Sequence, residues 1–574
     1  MLRRIVSCAG SSAVVPFPPR IRERAADVIA DRGGSFDYVV IGSGSAGSVI
    51  AGRLAEDAGI SVLLLEAGPT DQHIYIRMPA ALGYPLIDRR HNWYFHSEPE
   101  PGLDNRKIYE ARGKVLGGSS SINGMNWVRG NPWDYDHWAQ LGLTSWSFAN
   151  CLPYFKKAET FDKGANEFRG GAGPMMIETC RAQNPLYEAF LAAGTQTGLA
   201  HVEDHNGYRQ EGVHITQRNV HGGLRWSTSQ AYIHARGFRP NLKVRTGVRV
   251  TRIELLAKRA VRVHARAAGD PVAWEVRREA ILCGGAINSP QMLLLSGIGN
   301  PHDLRKLGVH VVADVPGVGQ GLKDHVAAPV TNRAVKDVSV ASQLSLIGKA
   351  KLGLQWLLFK RGLGATNFFE VGGFLRTRDE EKVPNIQLEF APMLGELQHG
   401  DVKLENGFQY FLSLMRPKSA GRVWLDTADP MADPKFNFNY LVDTEDMAQA
   451  VEGVKFVRQL IAQHAWDQLR GAEVVPGETV RSDAEIAAWL RQHAGTNYHP
   501  CCSCRMGKDN MAVVDEDARV HGVEGLRVID ASIMPEIISG NLNAPVIMMA
   551  EKIADTIRQR PPEIAPTPAY YLPA

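Results

Sequence analysis

The first clear pattern of apolar and polar positions lies at residues 36–68. A short run of strand-favouring residues covers 37–41, and a second run covers 61–65. Between the two runs, apolar residues recur at the spacing of one helix face: Ala46, Val49, Ile50 and Leu54. Because a segment with a helical period separates two short apolar runs of strand-favouring residues, the pattern predicts a β–α–β unit.

Glycines at the first strand-to-helix corner add chemistry to this unit. The corner has the form G-x-G-x-x-G, with Gly42, Gly44 and Gly47 at the constrained positions. The first glycine permits a tight turn, the second lets the backbone approach a pyrophosphate, and the third lets the helix pack closely on the strand. Glu66 ends the second strand about 20 residues further on, where a carboxylate can accept hydrogen bonds from a ribose. The stretch therefore predicts a dinucleotide-binding site.

Two further segments place glycine between apolar flanks. In 113–130, the Gly/Ser run 117–121 suits close approach of the backbone to a flat or charged ligand, although the run alone is better explained as an ordinary turn. In 279–299, the pattern predicts a buried strand at 280–283, a glycine turn, and a helix entered through Ser289–Pro290. We interpret this strand as a further member of the nucleotide-binding sheet.

The periodicity changes after residue 325. Alternating runs at 385–393 and 421–430 predict antiparallel strands, and residues 445–464 predict a helix. Residues 512–560 return to a strand-then-helix pattern. The predicted fold class is α/β, with a Rossmann-like domain built from discontinuous segments and an α+β substrate domain that contains an antiparallel sheet.

These patterns divide the chain into five regions. They are an N-terminal extension (1–35), a nucleotide-binding domain with excursions into the substrate domain (36–324), the substrate domain (325–495), the C-terminal part of the nucleotide-binding domain (496–560) and a Pro-rich tail (561–574). The first 24 residues contain five arginines and one acid, Glu23. This composition fits a mitochondrial transit peptide, but we favour a disordered bacterial extension or a misplaced start codon. A bacterial protein would be cytoplasmic or peripheral to the inner membrane. A protein with a transit peptide would be mitochondrial.

Composition excludes several classes of protein. Of 574 residues, 44% are hydrophobic and 22% are charged, as in an ordinary soluble enzyme. The 64 Lys and Arg nearly balance the 61 Asp and Glu, which argues against a nucleic-acid-binding surface. No stretch reaches the roughly 18 apolar residues that cross a bilayer. Seven cysteines in so long a chain do not form a disulfide framework, and their odd number suits a reducing compartment.

Together these motifs resemble the glucose–methanol–choline (GMC) oxidoreductase family, whose members bind FAD. GKVLGGSSSIN at 113–123 and GAINSPQMLLLSGIG at 285–299 match two family motifs, and the resemblance covers residues 37–558. Ile122 stands where members with covalently attached flavin carry a histidine, so the resemblance implies noncovalent FAD. It implies FAD contacts at Gly42, Ser43, Gly44, Ser45, Ala46, Gly47, Glu66, Ala67, Gly117, Gly118, Ser119, Asn123, Gly124, Val250, Asp530, Ala531, Asn543 and Ala544.

The resemblance also implies the reaction. His499, in the stretch NYHP, matches the family's catalytic base, and histidine is the side chain whose pKa suits proton abstraction near neutral pH. Asn543 matches the partner position of that base, where its amide can donate a hydrogen bond to the alkoxide oxygen while His499 takes the proton. The expected reaction is oxidation of a primary alcohol, choline to betaine aldehyde and conceivably on to betaine, with uncharged primary alcohols as the alternative. A noncatalytic flavoprotein is a third hypothesis, which the intact His499 and Asn543 oppose.

Three residues are predicted to bind the quaternary ammonium group of choline. Glu370 would supply a counter-charge, and Phe368 and Tyr498 would supply aromatic faces. Phe369 is a further candidate beside Phe368, and weaker candidates are Trp93 and Trp127. The alternative explanation is that these aromatic residues simply belong to the core.

No metal is predicted, and the electron acceptor stays open. Cys501, Cys502 and Cys504 lie close to His499 in the chain, but they lack the second ligand pair of a zinc site. The acceptor predicted from the resemblance is a quinone, another carrier or O2. Peripheral association with a membrane is compatible with the sequence, and the oligomeric state is not predicted.

Overall fold

Two large β-sheets form the framework of the protein. The structure, a computed structural model, describes residues 33–398, 401–563 and 566–573, so most of the predicted N-terminal extension lies outside the described residues. The strands of the two sheets are β1 (Ser35–Ile41), β2 (Val62–Leu65), β3 (His201–Val202), β4 (Gly212–Ile215), β5 (Leu242–Arg245), β6 (Val248–Leu256), β7 (Arg259–Ala267), β8 (Asp270–Leu282), β9 (Val326–Ala334), β10 (Val371–Leu375), β11 (Ile386–Ala391), β12 (Gly407–Leu414), β13 (Arg470–Val475), β14 (Gly495–Thr496) and β15 (Leu526–Val528).

Helices cover both sheets. The α-helices are α1 (Ser45–Leu54), α2 (Ile74–Arg77), α3 (Gly83–Ile87), α4 (Pro132–Gln140), α5 (Phe148–Ala158), α6 (Pro185–Gln196), α7 (Gly285–Leu295), α8 (Pro301–Lys306), α9 (Leu346–Phe359), α10 (Thr444–Ile461), α11 (Asp483–His493) and α12 (Asn543–Ile557). In the part of the chain that the structure describes, no helix is both long enough and apolar enough to cross a membrane.

The first sheet is the predicted nucleotide-binding sheet. Its order is β5–β2–β1–β8–β7–β6, and β15 pairs with the end of β8. β1 runs parallel to both of its neighbours, with Val40 beside Leu64 on one side and Ile281 on the other. The four residues of β2 are all buried, as expected for a parallel strand that is covered on both faces. The strands come from three separate parts of the chain, which confirms a Rossmann-like domain of discontinuous segments.

The helix after β8 begins earlier than predicted. α7 starts at Gly285, so Pro290 lies inside the helix instead of in its first turn. A proline has no N–H to donate to the carbonyl four residues earlier, which belongs to Ala286. The Ser503 hydroxyl donates to that carbonyl instead, at 2.6 Å. A contact remote in sequence thus replaces the missing helical hydrogen bond.

The second sheet is the predicted antiparallel sheet of the substrate domain. Its order is β13–β9–β12–β11–β10–β4–β3, with β14 paired to β9, and only the β3–β4 pair is parallel among the pairs that the structure describes. The strand predicted at 385–393 is β11, and the helix predicted at 445–464 is α10, which packs on β12. The strand within 421–430, Gly421–Trp424, belongs to a separate three-stranded sheet with Gln320–Leu322 and Lys435–Asn437.

A cavity of about 700 Å³ lies between the two sheets and is lined by residues from both. On the side of the first sheet it is lined by the end of β1, the end of β2 and the first turn of α1. On the side of the second sheet it is lined by residues of β9, β11 and β12. Segments 495–500 and 541–543 complete the wall, so residues remote in sequence meet at one place.

Candidate active site

Two of the three glycines at the first strand-to-helix corner are required by close contacts. Gly42 has a φ of +95°, and a Cβ on it would lie 2.5 Å from the Cys283 carbonyl oxygen. A Cβ on Gly47 would lie 1.9 Å from the Gly42 carbonyl oxygen, so a side chain there would push α1 away from β1. Gly44 is different, because its Cβ position is close only to the Gly118 Cα, at 3.9 Å, and Gly44 lines the cavity. These contacts match the three glycine roles predicted for a dinucleotide site.

The Glu66 side chain is held by hydrogen bonds from the glycine-rich loop after β1 and from the backbone just after Glu66. One carboxylate oxygen accepts hydrogen bonds from the Ser43 backbone N–H at 3.2 Å and the Ser43 hydroxyl at 2.6 Å. The other oxygen accepts a hydrogen bond from the Gly68 N–H at 2.8 Å. Burial raises the pKa of this carboxyl. Glu66 also lines the cavity, and its contact with a ribose hydroxyl stays a prediction.

Most of the residues predicted to contact FAD line this one cavity. They are Gly42, Ser43, Gly44, Ser45, Ala46, Glu66, Ala67, Gly118, Ser119, Asn123, Gly124, Val250, Asp530, Ala531 and Asn543. Gly47, Gly117 and Ala544 lie behind the wall. Gly117, at φ +87°, donates its N–H to the Ser43 carbonyl oxygen at 3.1 Å and so supports the loop from behind.

The cavity fits a large polar cofactor with a flat ring. Gly124 and Gly285 line it, and a Cβ on either residue would have no described atom within 4 Å. The Asn543 Nδ2 amide is buried and has no hydrogen-bond partner among the described residues. Asp530 fixes the turn before α7 by accepting hydrogen bonds from the Gly285 N–H at 2.8 Å and the Ser289 hydroxyl at 2.6 Å. An uncommitted amide and open space beside two glycines thus lie in one cavity.

His499 lies in the same cavity, on a backbone that is held by a buried carboxylate. Its N–H donates to Asp324 Oδ1 at 2.6 Å. The preceding residue, Tyr498, has a φ of +62°, which is uncommon for a residue with a side chain and is found mostly where the surroundings enforce it. The same Asp324 accepts the Thr496 hydroxyl at 2.6 Å. The hydrogen bonds to Asp324 therefore fix the backbone of residues 496–499.

The hydrogen bonds of a second histidine define the tautomer of His499. His325 Nε2 lies 3.0 Å from both the Met415 and the Ile538 carbonyl oxygens, so Nε2 must carry the proton. His325 Nδ1 is then an acceptor, and it lies 2.9 Å from His499 Nδ1, which must donate. The lone pair of His499 is consequently on Nε2. Burial lowers the pKa of His325 to about 4, and burial together with His325 lowers the pKa of His499, so both rings are neutral near neutral pH.

Asn541, and not Asn543, is the amide beside the unprotonated ring nitrogen of His499, Nε2. Asn541 Nδ2 lies 3.1 Å from His499 Nε2, and Asn541 Oδ1 accepts a hydrogen bond from Gln387 at 3.0 Å. Asn543 begins α12, and its Oδ1 accepts the Ser45 hydroxyl at 2.7 Å. Both amides line the cavity, but the hydrogen bond to the imidazole comes from the residue two positions earlier. The NLN sequence offers two asparagines, and sequence alone could not choose between them.

Of the residues predicted to bind a substrate cation, the structure brings Tyr498 to the cavity but not Glu370 or Phe368. Glu370 is buried behind the wall, where it pairs with Arg218 at 3.2 Å and accepts hydrogen bonds from the Ala182 N–H and the Thr366 hydroxyl. Glu370 therefore already has a cationic partner, which it shares with Glu178. Phe368 is buried at φ +66° and points away, while the neighbouring Phe369 lines the cavity.

Glu389 is the carboxylate that the sequence analysis missed. It lies on β11, lines the cavity and is half-buried. Asn126 donates to its Oε1 at 2.6 Å, and the amides of Asn541 and Asn497 approach it at 3.4 Å. Withdrawal from water raises the pKa of this carboxyl. The signal in the sequence is weak, because Glu389 is one polar residue in an alternating strand.

The cysteines near His499 pack in the core. Cys501, Cys502 and Cys504 are buried, and burial raises the pKa of the Cys501 and Cys504 thiols. Within residues 33–398, 401–563 and 566–573, no group of three or more His, Cys, Asp or Glu is arranged to hold a metal ion.

A dinucleotide cradle beside a neutral histidine whose Nε2 can accept a proton fits a flavin-dependent alcohol oxidoreductase. The family profile agrees: the N-terminal GMC oxidoreductase domain matches residues 36–327, and the C-terminal domain matches residues 417–550. The chain belongs to the GMC oxidoreductase family. Its cofactor is FAD, and it is an enzyme that oxidises alcohols.

Known proteins similar to this chain cover nearly all of it. Oxygen-dependent choline dehydrogenase of Chromohalobacter salexigens is 48% identical over 542 residues, which is 94% of this chain and 97% of that protein. The Serratia proteamaculans protein of the same name is 47% identical over 94% of this chain and 98% of its own length. Among solved structures, pyridoxine 4-oxidase from Mesorbium loti has a TM-score of 0.83 at 28% identity, over 92% of this chain and 100% of that chain. A formate oxidase of Aspergillus oryzae has a TM-score of 0.85 at 26% identity, over 92% and 98%.

Proposed function

We propose that the protein oxidises choline, a primary alcohol with a quaternary ammonium group, to betaine aldehyde. The observation that carries this proposal is the position of Glu389, a carboxylate in the cavity beside His499. The names of the similar proteins support the same substrate. The apolar and aromatic wall residues Leu82, Trp93, Phe369 and Phe411 would also accept an uncharged alcohol, which is the alternative substrate class.

Glu389 has amide neighbours but no cationic neighbour. In the described part of the chain it forms no ion pair, and its hydrogen bonds come from Asn126, Asn541 and Asn497. A carboxylate withdrawn from water without a counter-ion is costly, which its raised pKa reflects. A cationic substrate would supply the missing charge. Tyr498 and Phe369, which also line the cavity, could add ring-face attraction.

The spacing of Glu389 and His499 suits choline. One amide nitrogen separates the two groups: Asn541 Nδ2 lies 3.1 Å from His499 Nε2 and 3.4 Å from Glu389 Oε1. In choline, two carbons separate the ammonium nitrogen from the hydroxyl oxygen. A choline molecule with its hydroxyl at His499 Nε2 can therefore bring its cation towards Glu389.

The mechanism follows from the tautomer of His499. Without substrate, the Nε2 lone pair accepts a hydrogen bond from Asn541. Once the substrate hydroxyl takes that place, Nε2 accepts its proton while Nδ1–H donates to His325, so the ring keeps its orientation as it becomes charged. The amide of Asn541 is placed to donate a hydrogen bond to the alkoxide oxygen. FAD, when bound, supplies the hydride acceptor for the carbinol carbon. Ser45, Glu66 and the backbone of the first corner would hold it.

We also infer that O2 can serve as an electron acceptor, as the names of the similar proteins suggest for those proteins. Turnover with choline in air should consume oxygen and produce an equal amount of hydrogen peroxide. Oxygen uptake no faster than in a sample without choline would exclude O2 and leave a quinone or another carrier.

The substrate proposal is tested with choline and its uncharged isostere, 3,3-dimethylbutan-1-ol. We expect wild-type kcat/KM to favour choline by about a hundredfold, equivalent to about 2.8 kcal/mol, a fraction of the full Coulomb attraction because binding also desolvates the cation. Glu389→Gln should remove most of this preference and leave the activity on the isostere within a few fold, because the carboxylate does not touch the reacting carbon.

Glu370→Gln is the matched control. It makes the same chemical change in the same domain, but at a carboxylate that pairs with Arg218 outside the cavity. We expect the preference for choline to survive in this variant. If Glu370→Gln abolishes the preference and Glu389→Gln does not, the cation is bound where the sequence analysis first placed it, and our assignment is wrong.

A further inference from the structure

Helix α9 exposes an apolar face to solvent. Only Leu352 and Trp356 of its 14 residues are buried. Six large apolar side chains on the helix are between 52% and 88% exposed: Leu346, Ile347, Leu354, Leu357, Leu358 and Phe359. At 100° per residue, all of these except Phe359 fall within about 120° of the helix surface, opposite the buried pair. The helix is thus amphipathic, with its apolar stripe facing outward.

Basic residues flank this stripe. Lys349 and Lys351 lie on its two sides, Lys360 and Arg361 follow the helix, and no Asp or Glu occurs between Asp337 and Glu370. Lys349 and Lys351 are exposed and form no ion pair with a described residue. The segment therefore carries four positive charges, in a chain whose net charge is +3.

The helix is fixed to the body of the protein by its narrow buried edge. Trp356 Nε1 donates to the Gly223 carbonyl oxygen at 2.7 Å, and Leu352 and Trp356 pack against Met78 and Ala81. The segment that packs against Leu352 and Trp356 also exposes Tyr75 and Tyr84, whose rings stack at 4.5 Å. The same segment contributes Leu82 and Leu86 to the wall of the active-site cavity. The apolar face is therefore a fixed feature next to the site.

We propose that α9 is an interfacial helix that docks the enzyme on an anionic lipid surface. Its apolar stripe would enter the boundary between headgroups and acyl chains while Lys349 and Lys351 contact lipid phosphates, the arrangement of a helix that lies in the membrane plane. A second copy of the chain is a poorer occupant, because it would bring four further positive charges against these four. This inference does not depend on the identity of the substrate.

The test measures flotation of the FAD-loaded enzyme with vesicles. We expect binding to vesicles of equal parts phosphatidylglycerol and phosphatidylcholine, and much weaker binding to pure phosphatidylcholine or at high salt. Leu354→Ser combined with Leu358→Ser should lower binding by about tenfold or more, because each change removes apolar surface from the interface. Lys349→Gln combined with Lys351→Gln should cause a similar loss on the anionic vesicles alone.

Phe238→Ser combined with Leu256→Ser is the matched control, since both side chains are strongly exposed away from α9. This variant should bind like wild type, and flavin absorbance should show that all variants are folded. The proposal is overturned if wild type does not float with anionic vesicles, or if the control variant loses binding equally. It is also overturned if wild type is a dimer that the Leu354/Leu358 variant dissociates, while vesicles bind neither protein. If the leucine variant fails to fold, the lysine variant gives the decision.

Discussion

His499 owes its reactivity to a relay of hydrogen bonds that starts at the backbone. Two carbonyl oxygens fix the proton of His325 on Nε2, and His325 in turn fixes the proton of His499 on Nδ1. His325 is therefore a positioning residue, which acts on the substrate only through His499. The resulting unprotonated Nε2, which accepts a hydrogen bond from Asn541, is the proton acceptor that alcohol oxidation needs.

Replacement of His499 by Ala should leave FAD bound and slow anaerobic flavin reduction by about 10²–10⁴, the usual contribution of a positioned general base. Asn541→Ala should cost less, because it removes a hydrogen bond and not the proton acceptor. Stopped-flow absorbance measures both rates, and the exposed His302→Ala is the control. Near-normal reduction in His499→Ala would place the base elsewhere, and a larger loss in Asn543→Ala than in Asn541→Ala would contradict the assigned partner.

The pH dependence of the reaction should reveal Glu389. The pKa of Glu389 is raised, so its negative charge is lost as the pH falls through that raised value. The pKa of His325 is lowered to about 4 and that of His499 is also lowered, so both rings stay neutral. We therefore expect kcat/KM for choline to fall with decreasing pH in a range where kcat/KM for 3,3-dimethylbutan-1-ol is flat. Glu389→Gln should flatten the choline profile. The same acid limb for both alcohols would assign it to a histidine.

Some of these residues could be predicted from the sequence and others could not. His499 and the nucleotide-contacting positions were recognised because they sit in motifs with fixed spacing. Glu389, Asn541 and His325 have no such local signal, since each acquires its role from partners far away in the sequence. Glu370 shows the reverse case, because a carboxylate next to aromatic residues was predicted to bind the substrate and instead pairs with Arg218 outside the cavity.

At the scale of elements, the turn between β1 and α1 is the part that the cofactor requires. Gly44 has a φ of −63°, so Gly44→Val adds volume without backbone strain. The valine side chain would project into the cavity at the point of pyrophosphate approach, and we expect the purified variant to be largely apoprotein by its flavin absorbance. Gly353→Ala, on α9 with open space around its Cβ, is the control. A Gly44→Val protein with full flavin content would contradict the placement.

Elements with a strong local period were predicted correctly from the sequence. Some contacts between elements that are far apart in the chain were not predicted. The first β–α–β unit, β11 and α10 each show a clear local period. The contribution of β3 and β4 to the second sheet, and the early start of α7, depend on contacts between segments far apart in the chain. Such contacts leave no mark on the period of either segment.

At the scale of the whole molecule, the cofactor should be held without a covalent bond. Ile122 packs in a buried apolar cluster with Ile76 and Val115, and its side chain has no nucleophilic atom. Acid or heat should therefore release FAD into the supernatant of the yellow protein, where its absorbance is measured. Flavin that remains with the precipitate would show a covalent link at another residue.

The central claim is that the two domains together form a site for an alcohol with a positive charge. Its most direct test is anaerobic reduction of the bound flavin of wild-type enzyme by a panel of choline, aliphatic, aromatic and sugar alcohols at equal concentration. Because Glu389 lies one amide away from His499, we predict that choline bleaches the flavin fastest, by about tenfold or more over every uncharged alcohol. An aliphatic or aromatic alcohol that bleaches the flavin as fast as choline would contradict the claim.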